Sequence, residues 1–508
     1  MKKRIFAGIT ALLLLVAFCA GAEEPETDLS KLNGKQIGVQ TGTNFAEMVE
    51  KRLPDARIET YNTKADLVAA LTGHKIDAFV VDEPVARLIA RENSEITWIP
   101  EYLDQYQFGF VFAKNEAGET LQKKVNEFMK NLPEGTLDAL ADKWFSEDED
   151  AKTMPDPATF SAENGTLRVA TESGYAPFEY VRDGKVVGYD MELAALFCQE
   201  AGYGMEIIDM NFDGILPSVQ SGKCDFAAAG ISITPERAES VLFSEPNFSG
   251  ATVAVVLKAE TASEKQSGES FWESIGSSFD RTFLRENRWQ LFLEGVGNTM
   301  VITLFSILFG TALGFLLFML CRNGNIVANG ITRFSLWLVQ GTPIVVLLMI
   351  LYYIIFGSVA INGIFVAVIG FTLTFGAAVY GLIKMGVGTI DRGQYEAAYA
   401  LGHSDRHTFF KIILPQAIPH ILPAYQSEIV GLIKATAIVG YIAVQDLTKM
   451  GDIVRSRTYE AFFPLIAITV IYFVLEGLLS FAVSRIRVST DPRKRKTARI
   501  LKGVKNHD

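Results

Sequence analysis

Cysteine and histidine are scarce in this 508-residue chain, with four of the first and five of the second. Their spacing gives neither a metal-ligand cluster nor a disulfide framework, which leaves Cys198, Cys224 and Cys321 as small buried apolar groups. A phosphate loop of the form GxxxxGK[ST] is also missing: the nearest run, Ser221 to Cys224, lacks the first glycine and the hydroxyl residue. No cofactor, metal or nucleic-acid partner is implied, and catalysis finds no support. A TVGYG-like selectivity run is absent as well. Charge is lopsided, with a net of -11, while mean hydropathy is positive. That combination implies soluble and membrane parts in one chain, and the length fits two or three domains.

The opening segment, 1–22, reads as a signal peptide. Lys2, Lys3 and Arg4 precede an apolar run, and Ala20-Gly21-Ala22 offers a small-residue cleavage site. Two alternatives stay open: a lipoprotein signal with Cys19 lipidated, and an uncleaved anchor. From about Gly295 five apolar stretches follow, roughly Gly295–Leu320, Phe334–Phe356, Ile361–Met385, Ile413–Ile433 (or on through Ile442) and Phe462–Val483. Basic residues gather in the first and third connections and in the tail 488–508, RKRKTARILKGVK at its heart. The positive-inside rule therefore puts that tail in the cytoplasm and the region before the first span outside, where a signal peptide would deliver it.

Between the third and fourth stretches stands EAAYALGHSDRHTFFKIILP, Glu396 to Pro415. With Glu396, Ala397, Ala398, Gly402 and Pro415 in place, it resembles the cytoplasmic coupling loop of bacterial ABC importer permeases. Small residues let a short helix approach a partner closely, and proline suits a first helical turn. GNTMVITL, QGTPIVVLL and LIKATAIVGYIAVQDL resemble further segments of polar amino-acid permeases of the histidine/glutamine type. Two departures stand out: Gln340 where that family has arginine, and Ala435 where it has aspartate beside Lys434. Glu428 and Glu476 are then the candidate partners of Lys434.

Residues 165–258 alternate short β-rich and helical runs. YAPFEY, FDGILPSVQSGK and GISITPER resemble the first lobe of the polar amino-acid-binding proteins that feed such permeases. The second lobe, expected next, lies upstream instead: LNGKQIGVQTGTNF and DAFVVDEPVA resemble its start and end, FGFVFAK the returning strand, NLPEGTLDALADKWF the closing helices. The resemblance thus implies a circularly permuted, two-lobed α/β binding domain of periplasmic-binding-protein type II, fused to an all-α five-helix permease domain. The division is signal peptide 1–22, second lobe with closing helices 30–150, linker 151–164, first lobe 165–258, linker 259–290, permease domain 291–487 and basic tail 488–508. Proximity of domain termini makes such permutation tolerable; two degenerate half-domains are the alternative.

The resemblance also implies a site. Arg237 would pair with an amino acid's carboxylate, helped by Gly230, Ser232, Thr43 and Asn44, because guanidinium meets carboxylate with two donors. Asp82 would take the ammonium, and Tyr175 and Phe212 would flank the aliphatic part. Glu172 would face the ligand's side chain, which favours a basic amino acid, then a glutamine-like one, over an acidic one.

A separate ATPase would dock on the Glu396–Pro415 loop, two copies of the chain would form the pore in the lipid of the bacterial inner membrane, and hinge closure would present the ligand. A ligand-gated channel or a membrane sensor could use the same two lobes. A channel would insert its pore between the lobes, though, and the tail beyond Arg485 is short for a signalling domain.

Overall fold

The computed structural model describes residues 28–258 and 271–490, apart from 358, 360, 459, 461 and 462. The signal-peptide segment with Cys19, residues 259–270 of the 259–290 linker and the tail beyond 490 lie outside these residues. The chain forms two compact units. One holds the N-terminal part through Gln107 together with Ser249–Ser278, and the other holds Phe108–Phe248 and everything from Phe279.

The first unit is a sheet flanked by helices. Strands Arg57–Tyr61, Gln36–Gln40, Ala78–Asp82, Phe248–Leu257 and Ile96–Trp98 lie side by side, and Asp104–Phe108 also pairs with Phe248–Leu257. Ala78–Asp82 is buried along its whole length, the pattern of a central parallel strand covered on both faces. Its antiparallel neighbour Phe248–Leu257 comes from the far end of the 165–258 stretch.

In the second unit the sheet order is Gly204–Asp209, Thr166–Thr171, Phe226–Ala227, Val111–Ala113, Val241–Phe243. Val111–Ala113, from FGFVFAK, runs antiparallel to both of its neighbours. The helix Thr136–Phe145 packs nearby: Trp144 is fully buried and its Nε1 donates to Glu192 Oε2 at 2.6 Å. Residues 151–164 are pinned rather than loose. Arg182 donates to the carbonyls of Glu149 and Lys152, and Lys185 pairs with Asp156 at 2.6 Å.

Among the described residues, three helices are long and apolar enough to cross a membrane: Trp289–Arg322, Gly363–Gly388 and Phe463–Arg485. Two bent pairs bring the total to five if each counts as one span. The stretch expected as Phe334–Phe356 is one of them, broken by 108° between Ile326–Gly341 and Ile344–Ile355. Thr342 and Pro343 are both extended there, since proline pushes the residue before it out of the helical region. The other pair, Asp405–Ile442 and Leu447–Thr458, bends by 59°. The first two of these straight helices, Trp289–Arg322 and Gly363–Gly388, cross closely. A Cβ on Gly314 would stand 2.6 Å from the Gly376 carbonyl oxygen, so only glycine permits the approach.

Candidate functional site

Parallel strands present loops at their carboxyl ends, where α/β sheets bind ligands. In the first unit, Gln36–Gln40 and Ala78–Asp82 are parallel neighbours, so the Thr43–Asn44 loop and Asp82 leave the sheet on the same side. Thr43 Oγ1 donates to the Gln40 carbonyl at 2.7 Å, and Asn44 opens helix Phe45–Arg52 without a side-chain cap bond. Asp82 is 1% exposed at the head of helix Glu83–Glu92, and it makes no side-chain cap there. Burial pushes its carboxyl up to about 8, opposed by a hydrogen bond from Tyr106 and by the charge of buried Lys64. A buried carboxyl at that position is a ready receptor for a cation. Lys64 gave no sequence signal, because a lysine opening a helix is ordinarily solvated.

The second unit repeats the logic. Thr166–Thr171 and Gly204–Asp209 are parallel with Thr171 level with Asp209, so Glu172 and the Met210–Gly214 turn emerge together. Glu172 is 7% exposed. Asp209 fixes that corner, accepting from the Ser173 amide at 2.9 Å and its hydroxyl at 2.6 Å. Arg237 Nη1 donates to the Ser232 carbonyl at 3.1 Å, and its guanidinium lies 5.9 Å from the Phe212 ring centre. Tyr175 stacks on Phe178 at 5.5 Å, and Gly230 lies against the Tyr175 ring. The Gly230 amide goes to Asp190 Oδ2 at 2.7 Å. That donor is therefore used inside the lobe, and Asp190, whose carboxyl burial raises to about 7, acts as its anchor. Asp213, unread in the sequence, is held above the ordinary carboxylate range by its surroundings and then by the charge of Glu172.

The Glu396 loop is a short helix, Arg392–Ala400, started by Asp391 accepting from the Gly393 amide at 2.6 Å. It ends at Gly402, whose φ of +80° is the left-handed conformation a helix terminus uses. Ala398 is buried against the helical part, while Glu396, Ala397 and Leu401 face outward. Pro415 sits inside the continuous run Asp405–Ile442, just after the wide helical turn Thr408–Ile413 that relieves its missing N–H. Of the two carboxylates proposed for Lys434, Glu476 is the partner, at 3.2 Å.

The family description bacterial extracellular solute-binding proteins, family 3, matches residues 167–439. A protein of Rickettsia typhi named glutamine transport system permease protein GlnP is 36% identical over 193 residues, 37% of this chain and 88% of that protein. The arginine transport system permease protein ArtQ of Bacillus subtilis is 35% identical over 208 residues, 39% of this chain and 93% of its own. Among solved structures, an amino acid ABC transporter crystallised with histidines shares 30% identity over 39% of this chain and 93% of that chain, with a TM-score of 0.37. With the family match running through just over half of its 508 residues, the chain belongs to the bacterial extracellular solute-binding proteins, family 3, continued in its second half by a permease of the amino-acid ABC transporters.

Proposed function

We propose that this subunit captures a basic or glutamine-like amino acid outside the cytoplasmic membrane and passes it through its own permease part. Arg237 and Ser232, with Thr43 and Asn44, take the carboxylate; Asp82 takes the ammonium; Tyr175 and Phe212 flank the aliphatic chain. Gly230 acts indirectly, by leaving room for the Tyr175 ring. The observation that carries the ligand class is the pair of carboxyls at this corner: Glu172 is buried, and Asp213 is held above the ordinary carboxylate range by desolvation first and by the charge of Glu172 second. A cationic side chain seated beside them relieves that burden. Relatives named for glutamine and for arginine support a polar amino acid as the ligand.

The exchanged lobes act as one permuted domain. The support is strand sharing: Phe248–Leu257 lies in the first unit's sheet and Val111–Ala113 in the second's, so each sheet needs both parts of the chain. A separate ATPase docks on the Glu396–Pro415 loop, where Leu401 is 78% exposed beside Glu396 and Ala397. Two copies of the chain make one pore in the lipid bilayer, with the binding domain outside and the tail in the cytoplasm, in keeping with the basic connections.

The test is a thermal-shift and calorimetric screen of the detergent-purified full chain against the twenty amino acids and ornithine. Saturable binding of arginine, lysine, ornithine or glutamine is expected. Preference for glutamate or aspartate would overturn the ligand class, and binding of none would overturn the receptor reading.

A further inference from the structure

The second unit contains both the Glu172 corner and the helical part, and one short segment of the latter reaches it. Lys449, in helix Leu447–Thr458, donates through Nζ to the Met210 carbonyl at 3.3 Å and to Asn211 Oδ1 at 3.2 Å. The same ammonium stands 3.9 Å from Asp209 Oδ1, with Lys449 and Asp209 side chains only 9% and 2% exposed. Gln445 Nε2 donates to Asp209 Oδ2 at 3.1 Å. Asp209 is the carboxylate that holds Ser173, the neighbour of Glu172, and Met210–Asn211 lead directly into Phe212 and Asp213.

Burying a lysine against a carboxylate costs more than it returns unless the geometry and further hydrogen bonds compensate, so such a pair is poor glue. Ordinary adhesion between these parts has other sources. Val181 packs with Met450 and Ile453, Arg457 lies over the Tyr180 ring, and Lys223 donates to the Val359 carbonyl. What the Gln445–Lys449 segment adds is contact with the turn that leads into Phe212 and with Asp209, which holds the Glu172 loop through Ser173.

We propose that Lys449, seconded by Gln445, is a positioning residue that conveys ligand occupancy at the Glu172–Phe212 loops to the membrane part through Asp209. This rests on the importer reading above. Asp209 is shared: Ser173 holds it at 2.9 and 2.6 Å while Lys449 stands at 3.9 Å. A ligand that draws the Glu172 loop or the Phe212 turn inward changes how that carboxylate divides between Ser173 and Lys449. Helix Leu447–Thr458 is the element that feels the change. A differential contact between two states is what coupling requires.

The experiment pairs two readouts on the full chain, with L-arginine and L-glutamine as probes: uptake by cells, and calorimetric affinity of the purified protein. For Lys449→Met, uptake at saturating probe is expected to fall about tenfold, the scale of a lost charged hydrogen bond. Affinity should stay within about threefold, since Lys449 touches no ligand group. Lys449→Arg should recover most of the uptake, and Gln445→Ala should lie between. Uptake equal to wild type, or affinity that collapses in step with uptake, would overturn the proposal. A wild-type chain that binds neither probe sinks the importer's ligand class itself, and the inference with it.

Discussion

Arg322, at the end of the first long helix, donates to Asp405 Oδ1 at 2.5 Å, and its guanidinium lies 4.2 Å from the centre of the Phe409 ring. Tyr399 of the Glu396 helix donates to the same Asp405 oxygen at 3.0 Å. One carboxylate thus ties the loop helix to the first membrane-crossing helix, so force applied to the loop has a stiff route into the span. The Arg322 side chain is 15% exposed and Asp405 60%, so the ion pair alone is worth little and the stacked, directed donor carries most of the effect.

For Arg322→Ala, transport is expected to fall about tenfold while membrane level stays near wild type, as befits a lost joint and an intact bundle. Arg322→Lys keeps the charge and loses the fork, and should fall between. Uptake assays beside an immunoblot of the membrane fraction measure both. Unchanged uptake would remove the joint from the transport path.

Arg237 offers the second test. Its Nη1 bond to the Ser232 carbonyl holds the guanidinium along the Phe212 face, and a planar guanidinium there is suited to meet a ligand carboxylate. Arg237→Ala should weaken amino-acid binding about a hundredfold or more, the cost of stripping a charged hydrogen-bonded partner. Melting temperature should barely move, because the residue is only half-buried. Calorimetry on the full chain gives the first quantity and a melting curve the second; affinity that survives would reassign the carboxylate.

The parts of this protein legible in sequence are those whose signal is local. The apolar runs, the spaced EAA loop with Gly402 at its turn, and the proline of QGTP, where the second span breaks, each sit within one contiguous stretch of sequence. Resemblance added the loop residues at the strand ends, because turn chemistry there is tied to short motifs. What stayed hidden was long-range. Lys449 meets Asn211 across 238 residues, and no spacing rule connects a lysine in a polar connection to an asparagine in a distant turn. Lys64, Asp190 and Asp213 were hidden for a related reason: their importance lies in burial and neighbours, and each looks like a surface charge on paper.

Gly230 has φ +55°, and an added Cβ would come within 2.7 Å of Tyr175 Cε1. Gly230→Ala therefore carries both left-handed strain and a clash with a ring already stacked on Phe178. A loss of about 1–3 kcal/mol in stability is expected, with Tyr175 displaced and ligand affinity reduced. Gly402→Ala is the control: φ is +80° but the space is open, so only about 1 kcal/mol should be lost. Chemical denaturation of both variants separates strain from clash, and equal losses would show that the Tyr175 contact does not matter.

Asp82 gives the pH prediction. Burial raises its carboxyl from an ordinary value near 4 to about 8, so the folded, unliganded protein holds a proton that the unfolded chain gives up. The stability from this group is complete below about pH 4 and is lost as pH rises through about 8. A ligand ammonium reverses the preference, since it favours the carboxylate. Binding at pH 7 should then expel about one proton, and affinity should climb between pH 5 and 8. Calorimetry in phosphate and in Tris reads the released proton directly, as a difference in apparent enthalpy that scales with the buffers' ionisation enthalpies. Asp82→Asn should abolish that difference and flatten the pH profile, with a weaker ligand complex throughout. Identical enthalpies in both buffers for the wild-type chain would mean that Asp82 is already ionised before the ligand arrives, and the ammonium would then need no proton displaced to be held.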